Sequence, residues 1–307
     1  MAQKQKAVVT GGAGFIGSHI ADALLARGFE VHVIDDLSGG KRENVPEGAI
    51  FHELDMLDTA AITPIIAGAA AVFHEAALPR VQFSVDHPLE AHRANVDGTL
   101  SVLVAARDGK AKRIVYAASG SAYGDQETMP LVETMPANPV NPYGLHKYIG
   151  ELYLRLFASV YGIETVSLRY FNVYGDRMDP EGPYGLAIAR FLDLRAKGKP
   201  LTIVGDGTQT RDFTHVKDVV AANMLAMESA KVGKGEVINI GAGRNVSVNF
   251  LADLVDGGAA PRESMPPRVE SHDSLADVRR AKELLGWVPT IALEDGIAEL
   301  KKLAGIS

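Results

Sequence analysis

The chain has no cysteine and one tryptophan, and aromatic residues make up only 7% of its 307 positions. Without cysteine there are no disulfides, thiolate metal ligands or cysteine nucleophiles, so its chemistry must come from oxygen and nitrogen groups. No apolar run reaches the roughly 18 residues of a membrane span. Its 9 histidines form no His-Glu-x-x-His or similarly spaced pattern, so we expect no bound metal.

Positive charge is also in short supply. Lysine and arginine number 31 against 38 acidic residues, which gives a formal net charge of −7. Nucleic acids and anionic membranes both need a basic face, so we expect neither as a partner and favour a small ligand. The basic start of the chain is followed at once by a glycine-rich segment, unlike a signal peptide. We therefore expect the protein in the cytoplasm.

Short apolar runs alternate with longer helical patterns over the first two-thirds of the chain. The predicted strands cover residues 7–10, 31–34, 71–74, 114–117 and 165–168, and the predicted helices cover residues 16–27, 89–107 and 143–161. The strands are apolar throughout, which is typical of strands buried on both faces. This alternation predicts an α/β fold with a doubly wound parallel sheet, a Rossmann fold.

The pattern changes after about residue 171. Proline and glycine interrupt it near residue 180, and further elements are predicted as a helix over 186–197, strands over 201–204 and 237–240, and helices over 276–285 and 293–303. We therefore predict a Rossmann domain over residues 1–171 and a smaller C-terminal α/β substrate domain over residues 172–307. Segments around 214–240 are expected to pack back on the first domain.

The first strand and helix are joined by Gly11-Gly12-Ala13-Gly14-Phe15-Ile16-Gly17. In such a turn Gly11 permits the tight bend, Gly14 lets the backbone approach a pyrophosphate, and Gly17 lets the helix pack on the strand. Amide groups and the helix dipole then hold the anion. The alternative is a glycine-rich turn without a ligand.

Asp35 follows about 20 residues later at the end of the second strand, where a carboxylate accepts hydrogen bonds from an adenosine ribose. The turn without a ligand leaves this acid unexplained. Asp35 and Asp36 together repel a 2′-phosphate, so NAD is favoured over NADP. Lys41 and Arg42 are close enough in sequence to oppose that preference, but we expect them to be solvated.

Tyr143 and Lys147 are four residues apart in a predicted helix and so share one face. A lysine ammonium beside a tyrosine lowers the pKa of the phenol toward the working pH, which makes a general base for an alcohol. Ser119 ends a buried strand at the edge where doubly wound sheets meet ligands. Many surface helices carry the same Tyr-Lys spacing, and Ser119 could simply cap a turn; the glycine segment favours the catalytic interpretation.

At this point the sequence resembles the extended short-chain dehydrogenase/reductase family over nearly its whole length. The matching segments are residues 11–17, 55–56, 74–77, 95, 119–124, 143–147, 168–172 and 205–213. The resemblance implies bound NAD, catalytic Ser119, Tyr143 and Lys147, and a nucleoside-diphosphate sugar as substrate.

The resemblance also implies roles for individual residues. On the cofactor side they are Gly11, Gly14, Phe15, Ile16, Gly17, Asp35, Asp36, Asp55, Met56, Ala76, Ala77, Asn95, Tyr143 and Lys147. On the substrate side they are Ser119, Ser121, Tyr143, Asn172, Arg211, Arg268 and Ser274. Arginine suits phosphate oxygens on physical grounds as well. The loop before Ser274 is one residue shorter than is usual in the family. This leaves open whether Arg268 contacts the diphosphate and whether Ser274 is shifted out of the sugar pocket.

Two positions distinguish branches of this family. Relatives that dehydrate sugars carry an Asp-Glu pair directly after the catalytic hydroxyl, and those that decarboxylate glucuronate carry a glutamate in the same segment; here the residues are Gly120 and Ser121. Of the reactions in this family, oxidation and re-reduction at one carbon remains, as in the UDP-glucose 4-epimerase branch. At the position of Ser274 some relatives have a bulky aromatic residue, so a serine predicts that UDP-GlcNAc and UDP-GalNAc are accepted beside UDP-Glc and UDP-Gal.

Other functions stay open at this stage. A UDP-glucuronate 4-epimerase, or another nucleotide-sugar dehydrogenase or dehydratase of the family, would use the same three catalytic residues. A protein that senses NAD without turnover would need only the glycine segment.

The resemblance also suggests a homodimer. The helices predicted over residues 89–107 and 143–161 would pair with those of a second subunit as a four-helix interface, through apolar residues Leu100, Leu103, Val104, Leu152, Leu156 and Val160. The alternative is that these residues only face the core, because a helix covering a sheet is amphipathic in any case.

Overall fold

The computed structural model describes residues 4–180, 187–258, 261–266 and 269–306. Its strands are β1 Lys6–Thr10, β2 Glu30–Asp35, β3 Ile50–Glu53, β4 Ala71–His74, β5 Arg113–Ser119, β6 Glu164–Tyr170, β7 Val173–Tyr174, β8 Leu201–Val204, β9 Thr210–Asp212, β10 Thr214–His215, β11 Lys234–Ile240, β12 Asn245–Ser247 and β13 Arg262–Met265.

Its α-helices are α1 Phe15–Ala26, α2 Thr59–Ile66, α3 Val81–Asp86, α4 Pro88–His92, α5 Gly98–Asp108, α6 Pro142–Tyr161, α7 Ala187–Ala196, α8 Val216–Glu228, α9 Val248–Asp256, α10 Arg279–Leu285 and α11 Leu293–Leu303. A π-helical turn spans Arg93–Asp97, and 3₁₀ turns span Arg42–Asn44 and Gly120–Ala122. No helix in the described part of the chain is both long enough and apolar enough to cross a membrane.

Seven of the strands form one parallel sheet in the order β11-β6-β5-β4-β1-β2-β3. Helices α1, α8 and α10 cover one face of the sheet, and α2, α5 and α6 cover the other. Each face therefore has its own apolar core, which explains why the strands are apolar throughout. The predicted doubly wound parallel sheet is confirmed.

The C-terminal part of the chain builds a smaller unit beside the sheet. Three two-stranded sheets pair β7 with β10, β8 with β13 and β9 with β12. A separate apolar core lies among α7, α9, α11 and β8. Strand β11 belongs to the main sheet. The domain boundary after residue 171 stays a prediction.

The local structure differs from the sequence prediction in several places. Strand β3 was missed because it is a short, partly exposed edge strand without an apolar run. The helix predicted over residues 89–107 is divided by the π-helical turn. The helix predicted from Ala276 starts only at Arg279, because the Ala276 amide donates to Asp212 and its backbone bridges to Leu131.

A buried ion pair joins α6 to the sheet. Arg169 of β6 donates from Nε and Nη2 to the two carboxylate oxygens of Glu151, both at 2.7 Å, and the two side chains are 4% and 0% exposed. The Arg169 guanidinium also lies 4.2 Å from the centre of the Tyr123 ring. Removing one member of such a pair leaves the other charge buried without its counter-ion.

We predict that Glu151→Gln lowers the free energy of unfolding by about 3 kcal/mol, because the guanidinium keeps only a neutral partner. Urea denaturation checks this. Asp193→Asn is the matched control: it breaks the exposed Lys197–Asp193 pair of α7 and should cost less than about 0.5 kcal/mol. Equal losses in the two variants would contradict the prediction.

The predicted dimer helices differ in what they expose. Leu103 is 1% exposed and belongs to the core, whereas Leu152, Leu156 and Val160 are 42%, 49% and 60% exposed on α6. The core-facing alternative is therefore correct for Leu103. On α6 the three residues form an apolar stripe four residues apart on one helix face. The homodimer stays a prediction that this stripe supports.

We predict that Leu156→Asp converts a dimer into a monomer, because a charge in the centre of an apolar interface loses its hydration without gaining a partner. Light scattering after size-exclusion chromatography gives the mass. Leu303→Asp changes a comparably exposed leucine on α11 and should leave the mass unchanged. A wild-type protein that is already monomeric would show the prediction to be wrong.

Candidate active site

A groove of about 1430 Å³ runs along the carboxyl edge of the sheet and continues between it and the smaller unit. The predicted site residues that line it are Gly11, Gly14, Phe15, Ile16, Gly17, Asp35, Asp36, Asp55, Met56, Ala76, Ala77, Ser119, Ser121, Tyr143, Lys147, Asn172, Arg211 and Ser274. Residues far apart in the sequence therefore meet in one cavity.

The glycine segment lies where β1 meets α1. Gly11 has φ +69°, a backbone conformation that favours glycine. A Cβ on Gly11 would also lie 2.6 Å from the backbone nitrogen of Ala76, so any other residue would displace the loop that follows β4. Gly14 precedes the first turn of α1 and supplies no side chain to cap it. The first amides of α1 are thus left to an external acceptor, as a bound pyrophosphate requires.

Asp35 is held rigidly at the end of β2. Its two carboxylate oxygens accept hydrogen bonds from Ala13 N at 3.0 Å and Leu37 N at 2.9 Å. Burial raises the pKa of Asp35, while these two backbone hydrogen bonds lower it. Each oxygen has a second lone pair, so the carboxylate retains acceptors for a ribose diol.

The nearby cations are engaged away from Asp35. Lys41 Nζ lies 3.9 Å from the Asp179 carboxylate, and the Arg42 guanidinium lies 4.5 Å from the centre of the Phe51 ring. Asp36 accepts hydrogen bonds from the amide and hydroxyl of Ser38. This arrangement leaves the end of β2 negative, which suits a 2′-hydroxyl rather than a 2′-phosphate.

Asn95 does not line the groove. It is 2% exposed, and its amide group accepts from Leu78 N at 2.7 Å and donates to Leu78 O at 3.1 Å. It therefore fixes the loop that follows Ala76 and Ala77 rather than presenting a group to a ligand. Asp55 and Met56 lie in the groove wall as predicted, with Asp55 accepting from Leu57 N at 2.8 Å.

The start of α6 brings Tyr143 to the sheet edge. Asn141 caps the helix by accepting from Gly144 N at 2.9 Å, and Pro142 occupies its first position. A Cβ on Gly144 would lie 2.4 Å from the carbonyl oxygen of Ser121. Only glycine permits this close approach of α6 to the segment that follows Ser119.

Lys147 is one turn further along the same face. It is 3% exposed, and its ammonium donates to the Ala117 carbonyl of β5 at 2.8 Å. The same ammonium lies 6.0 Å from the centre of the Tyr143 ring. The sheet therefore fixes this side chain, and the ammonium also lies 5.0 Å from the centre of the Tyr116 ring.

The surroundings of Tyr143 shift its pKa. Burial raises the pKa of the phenol to about 12, and a hydrogen bond with Ser119 lowers it only in part. The expected lowering of this pKa by Lys147 stays a prediction. Ser119 itself accepts a hydrogen bond from Ser121 N at 3.1 Å, which fixes its side chain beside the phenol.

The substrate side of the groove is organised by Asp212. Its carboxylate accepts from the backbone amides of Ala242, Gly243 and Ala276 at 2.6, 3.1 and 3.0 Å. Burial raises the pKa of Asp212 to about 6 against these hydrogen bonds. Sequence reasoning assigned Asp212 no role, because its partners are remote in the chain.

Asn172 and Ser274 meet beside it. The Asn172 amide donates to Asp212 O at 3.1 Å and reaches the Ser274 hydroxyl at 3.4 Å. The shorter loop has therefore not carried Ser274 out of the groove. Arg268 lies outside the described residues.

Arg211 is paired within the chain. Its guanidinium donates to the Glu270 carboxylate at 2.9 Å and to the backbone oxygens of Thr210 and His272 at 2.9 and 2.8 Å. Arg211 lines the groove and has a carboxylate as its partner. Its role in binding a diphosphate stays a prediction.

Sequence reasoning also missed Glu75 and Arg80, which line the groove after β4. Glu75 was part of the matching His-Glu-Ala-Ala segment, but nothing in a single sequence says where its side chain lies. Within the described ranges, no group of three or more histidine and acidic side chains is arranged to hold a metal ion.

Comparison with known proteins bears on the family. The sequence model of the NAD-dependent epimerase/dehydratase family matches residues 7–241 of this chain. UDP-glucose 4-epimerase from Mycolicibacterium smegmatis is 37% identical over 305 residues, which is 96% of each chain.

Two solved structures are similar over nearly their whole length. UDP-glucose 4-epimerase from Thermotoga maritima, solved with UDP-glucose, has a TM-score of 0.92 at 39% identity and covers 97% of this chain and 99% of its own. UDP-N-acetylglucosamine 4-epimerase from Methanobrevibacter ruminantium, solved with UDP-N-acetylmuramic acid, has a TM-score of 0.92 at 35% identity and covers 98% of each chain.

NAD is the cofactor of the matched family, and the Gly11 turn and the acid at Asp35 fit its pyrophosphate and ribose. The family match and the full-length similarity together show that this chain belongs to the NAD-dependent epimerase/dehydratase family.

Proposed function

We propose that the protein interconverts UDP-hexoses that are epimeric at C4, through a transient 4-keto sugar, and keeps its NAD throughout. The observation that carries this proposal is the meeting of Ser119, Tyr143 and Lys147 in one part of the groove, which we call its reaction end. Gly120 and Ser121 stand where dehydrating relatives have acids. The relatives named above support the same reaction.

The chain's own groups have separate tasks in this reaction. Tyr143 takes the proton of the 4-hydroxyl and later returns it, and Ser119 hydrogen-bonds the same oxygen. Because burial raises the pKa of Tyr143 to about 12, its phenolate needs positive charge nearby, and Lys147 supplies one such charge. When bound, NAD supplies a hydride acceptor for C4 and gives the hydride back.

Inversion requires that the hexose turn while the rest of the substrate is held. In this proposal Arg211 and Asn172, which line the groove, hold the diphosphate. Arg211 then exchanges Glu270 for phosphate oxygens, which suit a guanidinium at least as well as a carboxylate does. The 4-keto sugar turns about its diphosphate link and presents its other face to the returning hydride.

We further propose that UDP-GlcNAc and UDP-GalNAc are substrates beside UDP-Glc and UDP-Gal. The small Ser274 side chain in the groove wall leaves space for an acetamido group. The name of the Methanobrevibacter ruminantium neighbour, a UDP-N-acetylglucosamine 4-epimerase, points the same way.

The first test offers the purified protein UDP-Glc, UDP-GlcNAc and UDP-glucuronate, each without added NAD, and identifies products by NMR. We expect the C4 epimers of the first two to form with no stoichiometric NADH. A keto product with one equivalent of NADH would indicate a dehydrogenase. Absence of turnover would indicate an NAD-sensing protein, and turnover of the glucuronate alone would indicate a uronate epimerase.

Tyr143→Phe is the variant that we expect to be nearly inactive in that test. It should lower the rate by about 100-fold or more, because the proton acceptor is lost while the cofactor site is intact. Tyr148→Phe, on the same helix but outside the groove lining, should keep the wild-type rate. NAD released on denaturation should be equal in all three proteins.

A further prediction concerns the size of the substrate. Ser274→Tyr should lower turnover of the N-acetylated pair by roughly 10- to 100-fold relative to UDP-Glc and UDP-Gal, since overpacking costs about 1 to 3 kcal/mol. Ser274→Ala keeps the space and should retain both pairs. Equal losses on both pairs, or a wild-type protein inactive on the N-acetylated pair, would contradict the assignment.

A further inference from the structure

The proposed reaction leaves one charged side chain at the reaction end of the groove without a task. Glu75 directly follows β4 and lines the groove. Its Oε1 atom accepts a hydrogen bond from the hydroxyl of Tyr170, at the end of β6, at 3.0 Å. The carboxyl group therefore extends along the carboxyl edge of the sheet, past the end of β5, where Ser119 lies.

The hydrogen bonds of Tyr170 indicate that Glu75 acts as an acceptor. Asn223 donates from Nδ2 to the Tyr170 oxygen at 2.8 Å and to Val219 O at 2.9 Å. Tyr170 has one hydroxyl proton, and a carboxylate attracts it more strongly than the neutral amide oxygen of Asn223 does. This arrangement orders the Glu75 side chain as the acceptor of the Tyr170 hydroxyl proton.

Glu75 also belongs to the electrostatic surroundings of the catalytic pair. Burial raises the pKa of Glu75 to about 7, although the Tyr170 hydrogen bond and the Lys147 charge act in the opposite direction. In turn Glu75 raises the pKa of both Lys147 and Tyr143. The geometry agrees with these effects, because Tyr170, to which Glu75 is hydrogen-bonded, is the strand partner of Ser119 at the end of β5.

We propose that the Glu75 carboxylate biases the bound cofactor toward its oxidised form. Hydride transfer needs the nicotinamide ring next to the carbon whose hydroxyl meets Tyr143. Glu75 lines this groove and is hydrogen-bonded to Tyr170, the strand partner of Ser119. The oxidised ring carries a positive charge and the reduced ring carries none, so a nearby negative charge stabilises NAD⁺ relative to NADH.

This bias has a use in an epimerase. The hydride that leaves C4, with its two electrons, must return to the same carbon, and no external oxidant takes part. If the reduced cofactor were too stable, the keto sugar would escape and leave NADH behind. A negative charge beside the ring opposes that outcome by favouring return of the hydride.

The test measures cofactor preference and uses no sugar, so it is separate from the proposed reaction although the inference rests on the hydride chemistry of that proposal. The protein, with the cofactor it retains, is equilibrated through a soluble redox mediator at one fixed potential and at a pH well above 7, then denatured, and bound NAD⁺ and NADH are quantified. We expect Glu75→Gln to shift the bound ratio toward NADH by about tenfold or more.

Glu133→Gln is the matched control. Glu133 is a half-buried carboxyl that accepts a hydrogen bond from Asn239 N at 2.8 Å, and it is not among the groove-lining residues. The same loss of charge there should leave the ratio unchanged. If Glu75→Gln does not fold, Glu75→Ala removes the same charge and is expected to give the same shift.

An unchanged bound ratio in the folded Glu75 variant would overturn the inference, as would an equal shift in Glu133→Gln. Epimerase activity of the wild-type protein has no part in this outcome. Failure of the proposed reaction and failure of the Glu75 inference therefore give different results.

Discussion

Arg169 and Glu151 form a two-pronged ion pair in which both side chains are almost fully buried, and the reaction end of the groove depends on it. Glu151 follows Tyr143 and Lys147 at successive intervals of four residues on α6, so the three side chains share one helix face. Fixing Glu151 against β6 sets the rotation of the whole helix. That rotation turns Tyr143 toward Ser119 and Lys147 toward the Ala117 carbonyl.

The same buried surroundings explain the behaviour of the titratable groups. Burial raises the pKa of Tyr143 and lowers that of Lys147, so each group alone favours its neutral form. Glu75 works against burial at Lys147, because it favours the ammonium. Glu75 also raises the pKa of Tyr143 and so opposes the phenolate. The charges at the end of the sheet are therefore interdependent, and removing one alters the others. A cofactor that gains or loses positive charge would enter this set as one more member.

The sequence was informative wherever function depends on the local backbone. The Gly11 turn, the acid at Asp35 and the face shared by Tyr143 and Lys147 could be predicted because each needs only neighbouring residues. Contacts between distant segments could not be predicted. The pairing of Arg211 with Glu270, the three amides on Asp212 and the reach of Glu75 to Tyr170 all join separate elements. Asn95 matched a family motif, yet its role in holding Leu78 is visible only in three dimensions.

The two sides of the groove are built differently, and the difference suits the proposed reaction. The cofactor side rests on a seven-stranded sheet with an apolar core on each face, and Gly11 and Gly17 pack so closely that a Cβ on either would collide with backbone. The substrate side is assembled from two-stranded sheets and loops joined through Asp212. Fewer paired strands make such a region easier to open locally. An epimerase must retain NAD through every cycle while it releases its sugar product each time, so a firm cofactor side and a looser substrate side are what that cycle requires.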